Sequence, residues 1–326
     1  MKRRTLIQAA SSSIALPSLV LSSAWAQDKY PSKAITWVCP YAAGGNADQR
    51  SRQVAKVMGT ILGQPIIIDN KAGAGGNIGA QFVARSAPDG HTLLLATNTL
   101  TLSPFLIKSL PFDISQDLAP VTLLANQPIV VVVNPSVPAR NIRELVAYLK
   151  ANPGKAFYAS PGNGTPHHFA AELFKQVTGV QMTHVPYRGA SPALTDLIAG
   201  QVHVMFASVI SALPFIKDNR IRALATAEGR HIFVLKDLPT IKESGYPAYE
   251  STIWAGIMAA GGTPSAITHK LSDAIRKAVV IPQVAAQLQN AGFEVSAGGP
   301  EEFGNLIQKD LQQFGKIAKT AGIVPE

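Results

Sequence analysis

AITWVCPYAAGGNADQRSRQVAKVMGTILG, residues 34–63, decides the fold. Its first part, 34–41, is a short and nearly unbroken apolar run, the pattern of a strand buried on both faces. Its last part, 47–62, reads as a helix with Asn46 as its N-cap and Gly63 as its stop. A glycine-rich turn, Tyr41-Ala42-Ala43-Gly44-Gly45-Asn46, joins the two. A strand feeding a helix through such a turn is the opening of a βαβ unit.

The pattern continues outward. Residues 66–69 read as a second strand, Asn77 as the cap of a helix over 78–86, and 92–97 as a third strand. It then restarts with a strand at 130–133 and a capping box made by Asn141 and Glu144 for a helix ending near Lys150. A strand at 157–160 follows, then a helix capped by Thr165 with Pro166 at its first position and Gly179 at its end. Short strands at 184–185 and 202–206 flank a helix opened by Ser191 and Pro192. Alternation of this kind predicts two α/β units, each a parallel-rich sheet flanked by helices. The last part repeats neither: it reads as a strand at 254–259, helices at 264–278 and 283–290, a short strand at 294–295 and a helix at 301–320. Such a tail is expected to pack back on the first unit. That gives a discontinuous first lobe of 27–125 and 252–326 and a second lobe of 126–251, with chain crossings at 124–130 and 249–255.

The N-terminus reads as an export segment. Lys2, Arg3 and Arg4 precede a mostly apolar run that includes 14–21 and ends in Ala24-Trp25-Ala26, so the mature chain is expected to begin at Gln27. The Arg3-Arg4 pair before Thr5-Leu6 partly fits a twin-arginine signal. A membrane anchor fits less well: Gln8, the serines at 11–13 and Pro17 interrupt the run, which is too short to span. No cysteine stands near the cleavage site, so a free protein is expected rather than a lipid-anchored one.

Composition narrows the class. Apolar residues make up 47% and charged residues 15%, enough for large cores. Of the formal charge of +9, the export segment carries three, leaving six for the mature chain. That balance suits anions and equally suits plain solubility. No dense basic stripe or zinc-ligand spacing points to nucleic acid. Cys39, the single cysteine, lies in the first strand and reads as a buried thiol. No cofactor or metal motif is present, and no long heptad suggests anything other than a monomer.

Three glycine-rich loops carry the functional reading, each at the C-terminal end of a strand and each leading into a helix. They are the 41–46 loop, with Tyr41, Ala42, Gly44, Gly45 and Asn46; the 70–77 loop, with Ala74, Gly75, Gly76 and Asn77; and the 160–165 loop, with Ser160, Gly162, Gly164 and Thr165. A helix N-terminus has unpaired N–H groups and partial positive charge, and glycine lets successive amides turn inward as an anion nest. In open α/β sheets ligands lie beyond the carboxyl ends of the strands. One such loop is most simply a turn; three of the same design point to anion binding. The second loop does not spell G-x-G-x-x-G, and no phosphate-loop Lys-Ser/Thr follows.

Individual side chains read two ways. Asp48 reads as a charge complementing the helix dipole. Thr165 serves the helix or a ligand, and His168 packs or contacts ligand; His167 is expected to be exposed. Tyr187 forms a pocket wall or a core contact, and Arg188 pairs with a carboxylate or sits on the surface.

Taken together, the motifs resemble those of the substrate-binding receptors of tripartite tricarboxylate transporters, the Bug family. The resemblance rests on PYAAGG at 40–45 with Asp48 and Arg52, NKAGAGGNIG at 70–79, PDGHTL at 88–93, SPGNGTPHH at 160–168, VPYRG at 185–189, and LPT at 238–240 with Glu243 and Gly245, in family order over nearly the whole mature chain. It implies a two-lobed periplasmic binding protein, a Venus flytrap of type II. It also implies a small carboxylate held by main-chain amides of the first two loops, contacts from the 160–168 loop, and delivery to inner-membrane transporter subunits. Many members carry Asp after the strand read at 202–206; here Ala207-Ser208 stands there. That argues for a plain di- or tricarboxylate or an aromatic acid over an amino acid. Two alternatives remain: a ligand-sensing subunit for a signalling partner, and a serine hydrolase using Ser160 and His168, for which there is no G-x-S-x-G elbow.

Overall fold

Strand β1 (Ile35–Cys39) is apolar throughout because each of its faces meets a helical layer. Ile35, Trp37 and Cys39 pack with Val54, Met58 and Ile275 on one side, while Val38 packs with Ala80, Val83 and Phe303 on the other. The computed structural model describes residues 30–290 and 292–325; the expected export segment lies outside the described residues. After β1 come α1 (Asn46–Leu62), β2 (Ile66–Asn70), α2 (Asn77–Ala84), β3 (Thr92–Thr97), α3 (Asn98–Leu102) and β4 (Leu118–Gln127). Gly63 ends α1 in the left-handed conformation, its N–H donating to the Gly59 carbonyl.

A second set follows: β5 (Ile129–Val133), α4 (Ile142–Ala151), β6 (Phe157–Ser160), α5 (Pro166–Thr178), β7 (Thr183–Pro186), α6 (Ala190–Ile198), β8 (Val204–Ser208), α7 (Val209–Lys217) and β9 (Arg222–Thr226). The chain closes with β10 (Ile253–Ala260), α8 (Ser265–Val279), α9 (Pro282–Asn290), β11 (Glu294–Gly298) and α10 (Pro300–Ala321). One sheet has the order β11-β4-β10-β3-β1-β2 and the other β7-β6-β8-β5-β9.

Both sheets are mixed. β1 pairs in parallel with β2 and β3, and β6 with β7 and β8. β10 runs antiparallel to β3 and β4, and β5 antiparallel to β8 and β9. The reason is the crossing: a strand that arrives from the other sheet enters from the opposite end and runs against its neighbours. β4 and β10 pair from Gln127 with Ile253 to Leu118 with Ala260, so both crossings lie side by side. Just beyond, Ala227 joins them, donating its N–H to Ile129 and accepting from Ser251.

Several elements differ from the reading of the sequence. β4, with Pro120 inside it, was not anticipated; nor were α3, β9, or α7, which carries Pro214. β8 covers 204–208, so Ala207 and Ser208 end the strand instead of following it. α1 begins at Asn46 with Gly45 as its cap, and α2 begins at Asn77 with Gly76, at φ 99°, as its cap. The Asn77 side chain turns back to donate to the Ala74 carbonyl. Asn141 caps α4 by accepting the Glu144 N–H, while the Glu144 carboxylate reaches back to the Arg140 N–H and the Asn141 side-chain amide instead of the Asn141 backbone N–H; the Thr165 cap with Pro166 and Gly179 forms as read. α10 does more than pack back on the first sheet. Phe303 and Ile307 belong to the first sheet's core, whereas Phe314, Ile317 and Ala318 belong to the second's. A helix of 22 residues is about 33 Å long and outreaches one layer.

Two consequences are measurable. Gly256 lies in β10 at a bulge, where a Cβ would run into the Phe303 ring. Gly256→Ala is expected to destabilise by about 1–3 kcal/mol, and adding Phe303→Leu to recover most of that loss; denaturant melts showing no loss would mean the ring does not sit there. At the crossing, Glu228 is buried with Oε1 unpartnered among the described residues, and burial pushes its carboxyl up to about 8. The folded state therefore keeps a proton that the unfolded chain releases. That contribution is complete below about 4.5 and lost as pH rises through about 8. Glu228→Gln removes the loss: from about pH 6 to about pH 9 the variant's melting midpoint is expected to gain roughly 3–8 °C on the wild type. Parallel curves would refute it.

Candidate functional site

A cavity of about 510 Å³ opens where the two sheets face each other. From the first sheet come the turn after β1 (Tyr41, Ala42, Gly45), one face of α1 (Ala47, Arg50, Ser51), the end of β3 (Leu95 and Thr97–Thr99), and the crossing strands (Leu124, Gln127, Ile253, Trp254). From the second come Pro161, Thr165, Pro166 and His167. The N-terminal ends of α1 and α5 thus both border the cavity. No side chain caps α1, so its leading N–H groups keep their donor capacity. At α5, Thr165 accepts from the His168 N–H and donates to the Gly162 carbonyl, which spends its hydroxyl inside the loop.

The 41–46 turn is tied down from behind by Asp48. Its carboxylate accepts from the Gly44 N–H at 2.9 Å, from Arg52 Nε at 3.0 Å and from Asn70 Nδ2 at 3.0 Å. Asn70 Nδ2 also donates to the Tyr41 carbonyl, fastening the end of β2 to the turn. The Arg52 guanidinium and the Gly44 N–H hold the Asp48 carboxyl down to about 2, so it is ionised throughout the neutral range. Asp48 therefore fixes loop geometry beyond complementing a dipole. Asp48→Ala is expected to speed hydrogen exchange at the Gly44 amide by about tenfold or more; an unchanged rate would show that the turn holds itself.

Of the residues singled out from the sequence, Tyr41, Ala42, Gly45 and Thr165 meet in the cavity. Gly44 is exposed beside it, and Asn46 opens α1. Gly75, Gly76 and Asn77 stand at the flank, in a small gap shared with Tyr41 and Thr97; a Cβ at Gly75 would touch Thr99. The second loop with Ala74 thus buttresses the β3 end and does not line the cavity.

The second lobe's side chains turn mostly into its own core. Ser160 is fully buried, its Oγ 2.7 Å from His184 Nε2 and accepting from the Gly162 N–H. His168 is buried, accepts the Gly164 N–H at Nδ1, and stacks on His184 at 4.0 Å. Ser160 and His168 are therefore not paired with each other. Gly164 instead packs against Leu106, which borders the second sheet's core. Tyr187 donates to Asp196 at 2.6 Å, and Arg188 is exposed. Ala207 belongs to the core. Ser208 reaches His167, whose Nε2 lies 2.9 Å from Ser208 Oγ. His167, expected to be exposed, is half-buried in the cavity wall, and burial holds its ring down to about 4, neutral at ordinary pH. The cause is the α5 end turning that face toward the crossing strands.

The reading of the sequence missed Arg50, Ser51, the Thr97–Thr99 turn, Trp254 and Phe293. One signal was legible: Ala47, Arg50 and Ser51 stand three and four residues apart and share a helix face. The others come together only through strand pairing. Trp254 is held by its indole N–H donating to Asp310 at 2.6 Å and its backbone N–H donating to Asn98 Oδ1 at 2.6 Å. Ser51 Oγ is buried with no partner among the described residues. No cluster of His, Cys, Asp or Glu able to hold a metal occurs among the described residues.

Residues 51–323 match the family described as the tripartite tricarboxylate transporter family receptor. The chain is 38% identical over 304 residues to a Pseudomonas sp. (strain P51) protein from the tcbD-tcbE intergenic region, covering 92% of this chain and 90% of that one. A solved solute-binding protein of the same family from Polaromonas, without ligand, superposes with a TM-score of 0.83 at 27% identity, over 89% of this chain and 99% of that one. A solved R. palustris protein with adipate gives 0.71 at 32% identity, over 91% of this chain and 100% of that one. With the fold, the bordering helix ends and this match in agreement, the chain belongs to the receptors of the tripartite tricarboxylate transporter family.

Proposed function

We propose that the protein captures a small carboxylate in the cavity between its sheets and delivers it to inner-membrane transporter subunits, acting in the periplasm after removal of residues 1–26. The observation that carries this reading is the charge balance of the wall. Among the described lining residues Arg50 is the one Lys or Arg, and there is no Asp or Glu, while the N-terminal ends of α1 and α5, where helix dipoles are positive, border the cavity. An ammonium group would find no counter-charge there; a carboxylate finds amides and a cation. Ala207 and Ser208 in place of an acid fit the same preference.

Tyr41, Ala42, Gly45, Ser51 and the 165–167 segment form the anion end of the site in this reading. The lobes, 27–125 with 252–326 and 126–251, move about the paired crossings and close on the ligand by population shift. No bond is made or broken. Ser160 has no access to a substrate, and its hydrogen bond to His184 explains both residues without a nucleophile. Among the described residues no helix is long and apolar enough to cross a membrane.

A thermal-shift and calorimetry panel tests the reading. Small mono-, di- and tricarboxylates are expected to raise the melting midpoint by several degrees, since a hundredfold excess over Kd contributes about 2.7 kcal/mol. Amines and neutral sugars leave it unchanged. A shift by amines or sugars alone would sink the proposal.

A further inference from the structure

Behind the cavity wall, three donors converge on one buried oxygen. Asp310 Oδ2 accepts from the Trp254 indole N–H at 2.6 Å, from Asn98 Nδ2 at 3.2 Å and from the Thr101 hydroxyl at 3.4 Å. Asn98 ties in the crossing as well: its Nδ2 also donates to the Thr252 carbonyl, and its Oδ1 accepts the Trp254 backbone N–H. Asn98 and Trp254 line the cavity with their neighbours Thr97, Thr99, Ile253 and Ala255, whereas Asp310 stands behind them. One carboxylate on α10 therefore holds two stretches of wall, the 97–99 turn and the start of β10.

Its place on α10 gives this contact reach. Phe303 and Ile307, before it, sit in the first sheet's core, and Phe314 and Ile317, after it, in the second's. Asp310 thus marks the point where the helix passes from one core to the other. Burial pushes its carboxyl up to about 6, against the pull of its three donors. The charges around it are engaged elsewhere. Lys309, its neighbour on α10, is turned to Glu250 at 3.1 Å, which also takes Lys242. On α5, Glu172 and Lys175 pair at 2.7 Å, His168 stacks on His184 and His167 is neutral in the wall. His269 of α8 meets Glu301 at the start of α10. α3, β4 and β10 carry no charged side chain.

A buried carboxylate one residue behind an anion site opposes the anion while it is charged and ceases to do so once protonated. The bound anion in turn favours the protonated form, so capture takes up a proton. We propose that Asp310 is a positioning residue that sets the 97–99 and 253–255 wall from behind and links capture of an anion in the cavity to uptake of a proton. This rests on the reading of the cavity as a carboxylate site, and it adds a regulation to that site. The carboxyl titrates at about 6 in the free receptor and higher in the bound one, so affinity is full below about 6 and falls as pH rises above it.

Calorimetry at about pH 6 and about pH 8 tests it on wild type, Asp310→Asn and Asp310→Ala, with adipate, malate and benzoate as probes. Asparagine keeps an oxygen for the indole N–H and has no charge to gain or lose; alanine removes the acceptor. In the wild type, each probe that binds is expected to lose about threefold or more in affinity from the lower pH to the higher, with a binding heat that changes with the buffer as protons are taken up. Asp310→Asn is expected to bind with the same affinity at both pH values. Asp310→Ala is expected to bind about tenfold more weakly at both, because the indole N–H loses its partner. A wild-type affinity that does not change with pH would overturn the proposal. So would an Asp310→Asn variant that keeps the wild-type fall, or an Asp310→Ala variant that binds as tightly as the wild type. If the wild type binds none of the three probes, the reading of the cavity itself fails, and this proposal with it. Melting of each variant within a few degrees of wild type separates loss of contact from loss of fold; where Asp310→Ala does not fold, the comparison with Asp310→Asn decides.

Discussion

The pairing of β4 with β10 is the constraint on which the remainder of the structure depends. These two antiparallel strands carry the chain out of the first sheet and back into it, and their hydrogen bonds keep the crossings side by side. Because they cross together, the carboxyl ends of β1 and β3 face the carboxyl end of β6 across one space. Ala227 then binds both crossing segments from the second sheet. α10 spans the outside with one end in each core, and Phe314 meets Phe169 edge-on at 5.4 Å. Any opening of the cavity must bend strands at the crossing and shift the second-sheet end of that helix.

The chemistry of the cavity follows from what this arrangement leaves unpaired. Strands and helix interiors satisfy their own backbone groups, whereas helix N-termini do not. Bringing α1 and α5 to one space gathers unpaired donors where no side chain competes for them at α1. The acidic groups that could neutralise such a field are turned away. Asp48 faces Arg52 and Asn70, and Asp310 receives the Trp254 indole N–H. The result is a positive space that needs no dense basic surface.

Much of the two-unit plan was legible from local signals. The 34–63 stretch, the Asn141–Glu144 box and the Thr165-Pro166 cap each encode their element in a few residues, because capping and turn chemistry are local. The elements that were missed have conflicting local signals. β4 contains Pro120, α7 contains Pro214, and β9 (RALAT) is short and opens on Arg222. Their pairing partners are far away in sequence, so packing overrides their weak propensity. The parallel-rich expectation gave way to mixed sheets for a similar reason: strand direction depends on which end the chain enters from.

The sequence by itself determined the fold class, the glycine-rich loops and the helix ends that they open, since each rests on backbone conformation and periodicity within one short stretch. It could not decide which loops share a space. Tertiary structure set Tyr41, Gly45 and Thr165 around one cavity, moved the 74–77 loop to the flank, and turned Ser160 and His168 into a buried stack with His184. It also laid Arg50 on Phe293, two residues that lie far apart along the chain. The physical reason is that a helix end advertises its donors locally, whereas the partner, wall or counter-charge that meets them depends on strand order and on the crossings between the two sheets.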